Sequence, residues 1–257
     1  MSISDMTLAQ RAALFAKLSS LAYMNKLKKV EYIPGESLGF NQNPKFYDHG
    51  GAQAYKMESK TDIVIACRGT EPTQWNDVKA DLRAFPVLAE TVGRVHKGFK
   101  KEVDDLWPMI SEDIKKASSK KKLWVTGHSL GAAMATVVAA RCTLHSGLHD
   151  VTELHTFGSP RVGWRKYCKS LPVTHYRWRN NNDIVTTVPP VFMGYKHHGT
   201  SMYINAYGKV RDLTTWQRTK DKLRGIVMGL KSGRFDSFMD HLIHDYIKHL
   251  DDWAKER

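Results

Sequence analysis

Gly127-His128-Ser129-Leu130-Gly131 constrains this chain more than any other segment. It sits between an apolar run, Leu123-Trp124-Val125-Thr126, and a small-residue run that begins Ala132-Ala133. In that setting G-x-S-x-G predicts a serine on a sharp, strained turn from a buried strand into a helix. The serine hydroxyl then projects above the sheet. Bulky side chains two positions to either side would collide with neighbouring backbone, which accounts for both glycines.

Similar punctuation recurs along the chain. Ala52 to Met57 alternates weakly and Ile63 to Cys67 is a buried-strand run, with Ser59 to Asp62 as the turn between them. The spacing predicts a helix from Phe99 to Ala117 and another from Leu130 to His145. Further strands are expected over Glu153 to Phe157 and Val173 to Trp178, the latter ending in Asn180-Asn181-Asn182-Asp183. Strand, helix, strand at this spacing implies right-handed crossovers and a mostly parallel sheet flanked by helices. No linker or composition break interrupts the 257 residues, so residues 1–257 read as one α/β domain.

Composition excludes several classes. Hydrophobic residues at 42% and charged residues at 25% describe a folded globular chain. No apolar run approaches the roughly 20 residues of a membrane span. Three cysteines and no C-x-x-C argue against a disulfide framework or a zinc ribbon. The net charge of +13 favours anionic partners, although a solvated basic surface is the plainer explanation. No nucleic-acid-binding module is recognisable, so no nucleic acid partner is expected. Met1 to Gln10 lacks Lys and Arg, and Arg11 and Lys17 interrupt the apolar residues after it. The segment therefore reads as an amphipathic helix opened by a Thr7–Gln10 capping box, not as a signal peptide, and a cytoplasmic setting is the expectation.

A serine hydroxyl needs a base, and the base needs a carboxylate to hold its tautomer. When the serine stands on a strand-to-helix elbow, the acid and then the histidine come after it in chain order. Asp183 directly follows a strand, at the edge where ligands meet an α/β sheet. Asp150 precedes a strand and lies at the wrong edge. Asp212, Asp221 and Asp236 fall in a polar, helical region. The histidines after Asp183 are His197, His198, His241, His244 and His249. Ser237 to Asp240 resembles a helix start, which puts His241 in the first turn, His244 one turn on and His249 deeper. His128 reads as a packed neighbour of the serine rather than its base. His145, His149, His155 and His175 read as structural or surface residues.

These residues resemble the class 3 lipases, the fungal-type lipases of the α/β-hydrolase fold and their bacterial relatives. Arg68-Gly69-Thr70, Val95-His96-Lys97-Gly98-Phe99 and Gly127 to Gly131 are similar to the family's R-G-T/S, V-H-x-G-F and G-H-S-L-G. Thr156 to Gly163 resembles T-F-G-x-P-R-V-G, and Asn180 to Pro190 resembles N-x-x-D-x-V…P-P. Tyr195 to Gly199 resembles Y-x-H-x-G, and Asp240-His241 with Tyr246 resembles D-H-x-x-x-x-Y. The resemblance implies a triad of Ser129, Asp183 and His241. It favours His241 over His244 because only His241 stands five residues before Tyr246. It implies an oxyanion hole from the amides of Thr70 and Leu130, and a structural role for His197.

The implied activity is carboxylic ester hydrolysis through an acyl-enzyme, with no metal or cofactor. The leading expectation is a lipase on acylglycerol esters. The alternatives are a phospholipase or a short-chain or aryl esterase, and more remotely a non-catalytic scaffold of the same fold. Glu71 to Val92 stands where fungal relatives carry a lid and is expected as a lid helix or a packed loop. Lys209 to Arg234 carries eight basic and two acidic residues. It predicts a basic amphipathic helix, docked on the core or resting on an anionic lipid surface. Lys120 to Lys122 enters the nucleophile strand at its amino end and is expected to face away from the site.

Overall fold

The computed structural model describes residues 2–23, 38, 40, 44–69, 85–144, 148–231 and 241–257, with backbone alone at 215 and 226–231. The capping box forms as expected. The Thr7 hydroxyl accepts from the Gln10 amide at 3.3 Å, and the Gln10 side chain accepts from the Thr7 amide at 2.9 Å. Helix α1 (Leu8–Leu21) starts from it.

The strands are β1 (Lys45–His49), β2 (Ala52–Glu58), β3 (Asp62–Cys67), β4 (Pro86–Leu88), β5 (Arg94–His96) and β6 (Lys122–His128). They continue as β7 (Val151–Phe157), β8 (Gly163–Trp164), β9 (His175–Asn180), β10 (Tyr195–Lys196), β11 (Thr200–Ile204) and β12 (Val210–Arg211). The remaining helices are α2 (Lys97–Lys116), α3 (Leu130–Leu144), α4 (Arg165–Ser170), α5 (Thr215–Lys231) and α6 (Ile243–Lys255). Among the described residues the main sheet has eight strands in the order β1-β2-β3-β6-β7-β9-β11-β12. The pairings from β3 through β11 are parallel, and the outer ones are antiparallel. A small antiparallel sheet, β10-β8-β5-β4, stands apart from it. The mostly parallel sheet flanked by helices is the α/β-hydrolase architecture expected from the sequence.

Two apolar layers sandwich the main sheet. On one face Ile63, Ile65, Val125 and Leu154 pack with Phe99, Val103, Leu106 and Ile110 of α2 and Met134 and Val138 of α3. On the other, Val64, Ala66, Trp124, Phe157 and Trp178 pack with Phe15 and Leu18 of α1 and Tyr246 and Leu250 of α6. This is the period-2 alternation of a sheet covered on both sides. Helix α3 is buried from Leu130 through Cys142. Its run of alanines suits that position, because only small side chains allow a helix so close to a sheet. No helix among the described residues is long and apolar enough to cross a membrane.

One expectation needs adjustment. Helix α6 begins at Ile243, capped by Leu242, so His241 lies just ahead of the helix and not in its first turn. Ser237 to Asp240 lies outside the described residues. Of the lid candidate, residues 71–84 also lie outside. Its described tail forms strand β4, paired with β5, and no helix.

Candidate active site

The nucleophile turn joins β6 to α3. Ser129 has φ of 58°, the only non-glycine residue with positive φ among the described residues. An L-residue there carries strain of about 1–2 kcal/mol. The Ser129 amide donates to the Phe157 carbonyl at 3.0 Å and its carbonyl accepts from the Ala132 amide at 3.0 Å, which hold the turn closed. A Cβ on Gly127 would lie 2.3 Å from the Gly131 carbonyl oxygen, and one on Gly131 would lie 2.3 Å from the Cys67 carbonyl oxygen. The two glycines of the motif are therefore required by β6, α3 and β3 meeting backbone to backbone.

Asp183 follows β9 and is fully buried. His241 Nδ1 lies 3.0 Å from both of its carboxylate oxygens. A carboxylate accepts, so Nδ1 carries the proton and Nε2 is the basic nitrogen. The Tyr246 hydroxyl donates to Asp183 Oδ2 at 2.6 Å while accepting from the Asn180 amide at 2.9 Å. The Val185 amide donates to Asp183 Oδ1 at 2.9 Å. Burial pushes the Asp183 pKa up, but His241 and Tyr246 outweigh it and hold the carboxyl below its ordinary value. Gly158, at φ of 59°, lies directly against the pair. A Cβ there would stand 2.7 Å from Asp183 Oδ2 and from His241 Nδ1.

A further histidine supports this one. The rings of His128 and His241 stack with centroids 4.6 Å apart, and His128 Nε2 is 2.6 Å from the His241 carbonyl oxygen. A carbonyl can only accept, so His128 bears its proton on Nε2. Its Nδ1 then accepts from the Tyr23 hydroxyl at 2.8 Å. Burial pushes the His128 pKa down to about 3, so the ring stays neutral in this bridge. The Tyr23–His128 support and the part Tyr246 plays on Asp183 were not foreseen from the sequence. The five-residue step from His241 to Tyr246 was the one available signal.

The structure brings Asp183 and His241 together and sets Ser129 on its turn. Leu130 is the first residue of α3, where an amide has no intrahelical partner. Thr70 lies outside the described residues. His244 is exposed and Asp150 stands exposed at the amino end of β7. Asp221, on α5, accepts from the Tyr203 hydroxyl and the Ala206 amide, and Asp212 is exposed. His197 donates to the Thr186 carbonyl at 2.9 Å, pinning the loop after Asp183. Lys122 opens β6 at its amino end, the edge opposite Ser129. Helix α5 exposes Trp216 and Leu223 while Asp221 is buried on its inner side.

Comparison with known proteins agrees with this architecture. Residues 64–193, half of the chain, match the family model described as Lipase (class 3). A lipase of Rhizomucor miehei is 32% identical over 205 residues, covering 74% of this chain and 54% of the relative. A secreted mono- and diacylglycerol lipase of Fusarium solani is 33% identical over 176 residues, covering 64% of this chain and 50% of the relative. The chain spans about half the length of these two relatives. The cytoplasmic expectation draws no support from them, since the Fusarium protein is named as secreted. A solved triacylglycerol lipase, described as having a serine-protease triad as its catalytic centre, shares the fold at a TM-score of 0.65. It is 24% identical, covering 90% of this chain and 91% of its own. With the family model and the fold in agreement, the chain belongs to the class 3 lipase family.

Proposed function

We propose that this chain is a serine carboxylic-ester hydrolase, a lipase that acts on acylglycerol esters. Ser129 attacks the ester carbonyl while His241 Nε2 takes its proton. Asp183 holds the imidazole in the tautomer with Nδ1 protonated and stabilises the imidazolium as it forms. The Leu130 amide, with that of Thr70 as the family resemblance implies, donates to the oxyanion. His241 then protonates the leaving alcohol, and water resolves the acyl-enzyme by the same route in reverse. The single observation that supports this reading best is the buried Asp183–His241 pair at 3.0 Å, clamped by Tyr246 and Val185.

The test is initial rate against acyl length, from C2 to C16 nitrophenyl esters, and then on emulsified triacylglycerol, with Ser129→Ala as blank. The expected result is turnover that extends to long chains and to emulsion. Activity confined to short soluble esters would make the protein an esterase. Emulsions with neutral or anionic surfaces, run in low and high salt, address α5 in the same assay. If Trp216 and Leu223 rest on lipid with Lys220 and Arg224 beside them, the anionic surface is favoured and salt weakens the preference.

A further inference from the structure

A second polar cluster lies on β9, on the face opposite Trp178. Arg177 and Arg179 stand two residues apart on one strand and so project from the same face, roughly 7 Å apart along the strand. Arg161 reaches in from the segment after β7, and Arg218 and Lys222 from α5. Arg161 is satisfied, donating to the Pro189 carbonyl at 2.8 Å and to the Thr187 carbonyl. Arg218 stacks over the Tyr203 ring at 5.5 Å, and its guanidinium lies 4.0 Å from the exposed Asp212 carboxylate. Arg177 and Arg179 are different. Arg177 is only 8% exposed. The Nε atoms of Arg177, Arg179 and Arg218 are buried without a hydrogen-bond partner. Among the described residues no carboxylate pairs with Arg177 or Arg179. Asp221, the buried acid nearby, already accepts from the Tyr203 hydroxyl and the Ala206 amide.

Such an arrangement is costly as it stands. A buried guanidinium is normally paired and hydrogen-bonded. Here burial first, and then the charges of Arg179, Arg161 and Arg218, push the Arg177 pKa down to about 10. Burial and Arg179 likewise push Lys222 down. The histidines bordering the cluster give no relief. Burial pushes the pKa values of His175, His197 and His198 below their ordinary value, and an imidazole in either protonation state supplies no anion.

We infer that Arg177, Arg179, Arg218 and Lys222 form a binding site for a phosphate group, separate from Ser129. The geometry selects the class of anion. A carboxylate is planar and singly charged, and one guanidinium fork satisfies it. Arg177 and Arg179 come from β9, and Arg218 comes from α5 over Tyr203, the residue paired with Arg179 across β9 and β11, so the cations belong to two elements. A phosphate monoester offers acceptors in three dimensions and about −1.5 to −2 charge. Bound there, it ties α5 to β9 a few residues from Asp183. The phosphate comes either from a glycerophosphate headgroup or from free phosphate.

The experiment is thermal unfolding and calorimetric titration of the intact chain with inorganic phosphate and with glycerol 3-phosphate. Chloride holds the ionic strength constant. The expected result is a saturable rise in Tm of roughly 5 °C, with one equivalent bound. In Arg177→Gln and Arg179→Gln the affinity falls at least tenfold. Arg179 is the less buried, so its variant carries the test if Arg177→Gln does not fold by circular dichroism. Glycerol 3-phosphate binding at least tenfold tighter than inorganic phosphate assigns the site to a lipid headgroup. Equal or weaker binding assigns it to free phosphate. No rise beyond that in chloride, or the same rise in both variants, overturns the site. The readout is binding, so it is independent of whether Ser129 is the nucleophile.

Discussion

Replacing Ser129 with alanine is expected to lower kcat on a soluble nitrophenyl ester by about 10⁶-fold, leaving the fold intact. The loss is that large because a triad acts as a unit. Without the hydroxyl, His241 has no proton to take, and the imidazole that Asp183 orients has no nucleophile to activate. A residual acceleration of about 10³–10⁴ over water should persist from the oxyanion amides and binding. The fold survives because Ser129 holds its turn through backbone groups, its amide on Phe157 and its carbonyl on Ala132. A companion variant separates strain from chemistry. Ser129→Gly loses the same activity, but glycine occupies φ of 58° without the Cβ clash. Its stability should therefore rise by about 1 kcal/mol, read as a Tm increase. A kcat within tenfold of the unmodified enzyme in both variants would remove Ser129 from the mechanism.

Asp183→Asn is expected to cost about 10⁴ in kcat with the imidazole still in place. The carboxylate accepts from His241 Nδ1, from the Tyr246 hydroxyl and from the Val185 amide. A carboxamide has one accepting oxygen and one donating nitrogen. If the oxygen stays with Tyr246, the NH₂ group faces His241 and shifts its proton from Nδ1 to Nε2. The base is then in the wrong tautomer. If the amide turns the other way, the Tyr246 hydroxyl meets a donor while still receiving the Asn180 amide. Either orientation leaves a buried polar group unsatisfied, worth about 1–3 kcal/mol of stability. Steady-state kinetics and thermal unfolding on one preparation check both effects. A kcat within tenfold of the unmodified enzyme would mean that Asp183 does not orient His241.

Where a local signal existed, the sequence carried the architecture. The capping box placed α1, and the apolar runs placed β3, β6 and α3 within one or two residues. The elements that escaped were short or weakly patterned. β8, β10 and β12 have two residues each, too few for any period to register. β11 forms because β9 offers it a parallel edge, a contact set by tertiary structure and not by its own residues.

The site divides in the same way. Ser129 announced itself through glycines needed within a few residues of it. Asp183 was legible from its position after a strand, and His241 from its step to Tyr246. The groups that hold these residues were not legible, because each contact spans a long stretch of chain. Tyr23 reaches His128 across 105 positions, His128 reaches the His241 carbonyl across 113, and Tyr246 reaches Asp183 across 63. The arginine cluster was hidden for the same reason. Arg177 and Arg179 lie far in sequence from Arg218, which stacks over Tyr203 beside them.

Covalent trapping tests the central proposal most directly. The intact chain is treated with a nitrophenyl alkylphosphonate, whose phosphorus a serine nucleophile attacks, expelling nitrophenolate and leaving a stable tetrahedral adduct on the serine oxygen. Peptide mass spectrometry then locates it. The expected result is one equivalent of phosphonate on Ser129, loss of ester turnover in step with labelling, and slow labelling in His241→Ala. Inactivation with the adduct on another residue, or full activity with Ser129 labelled, would contradict the proposal.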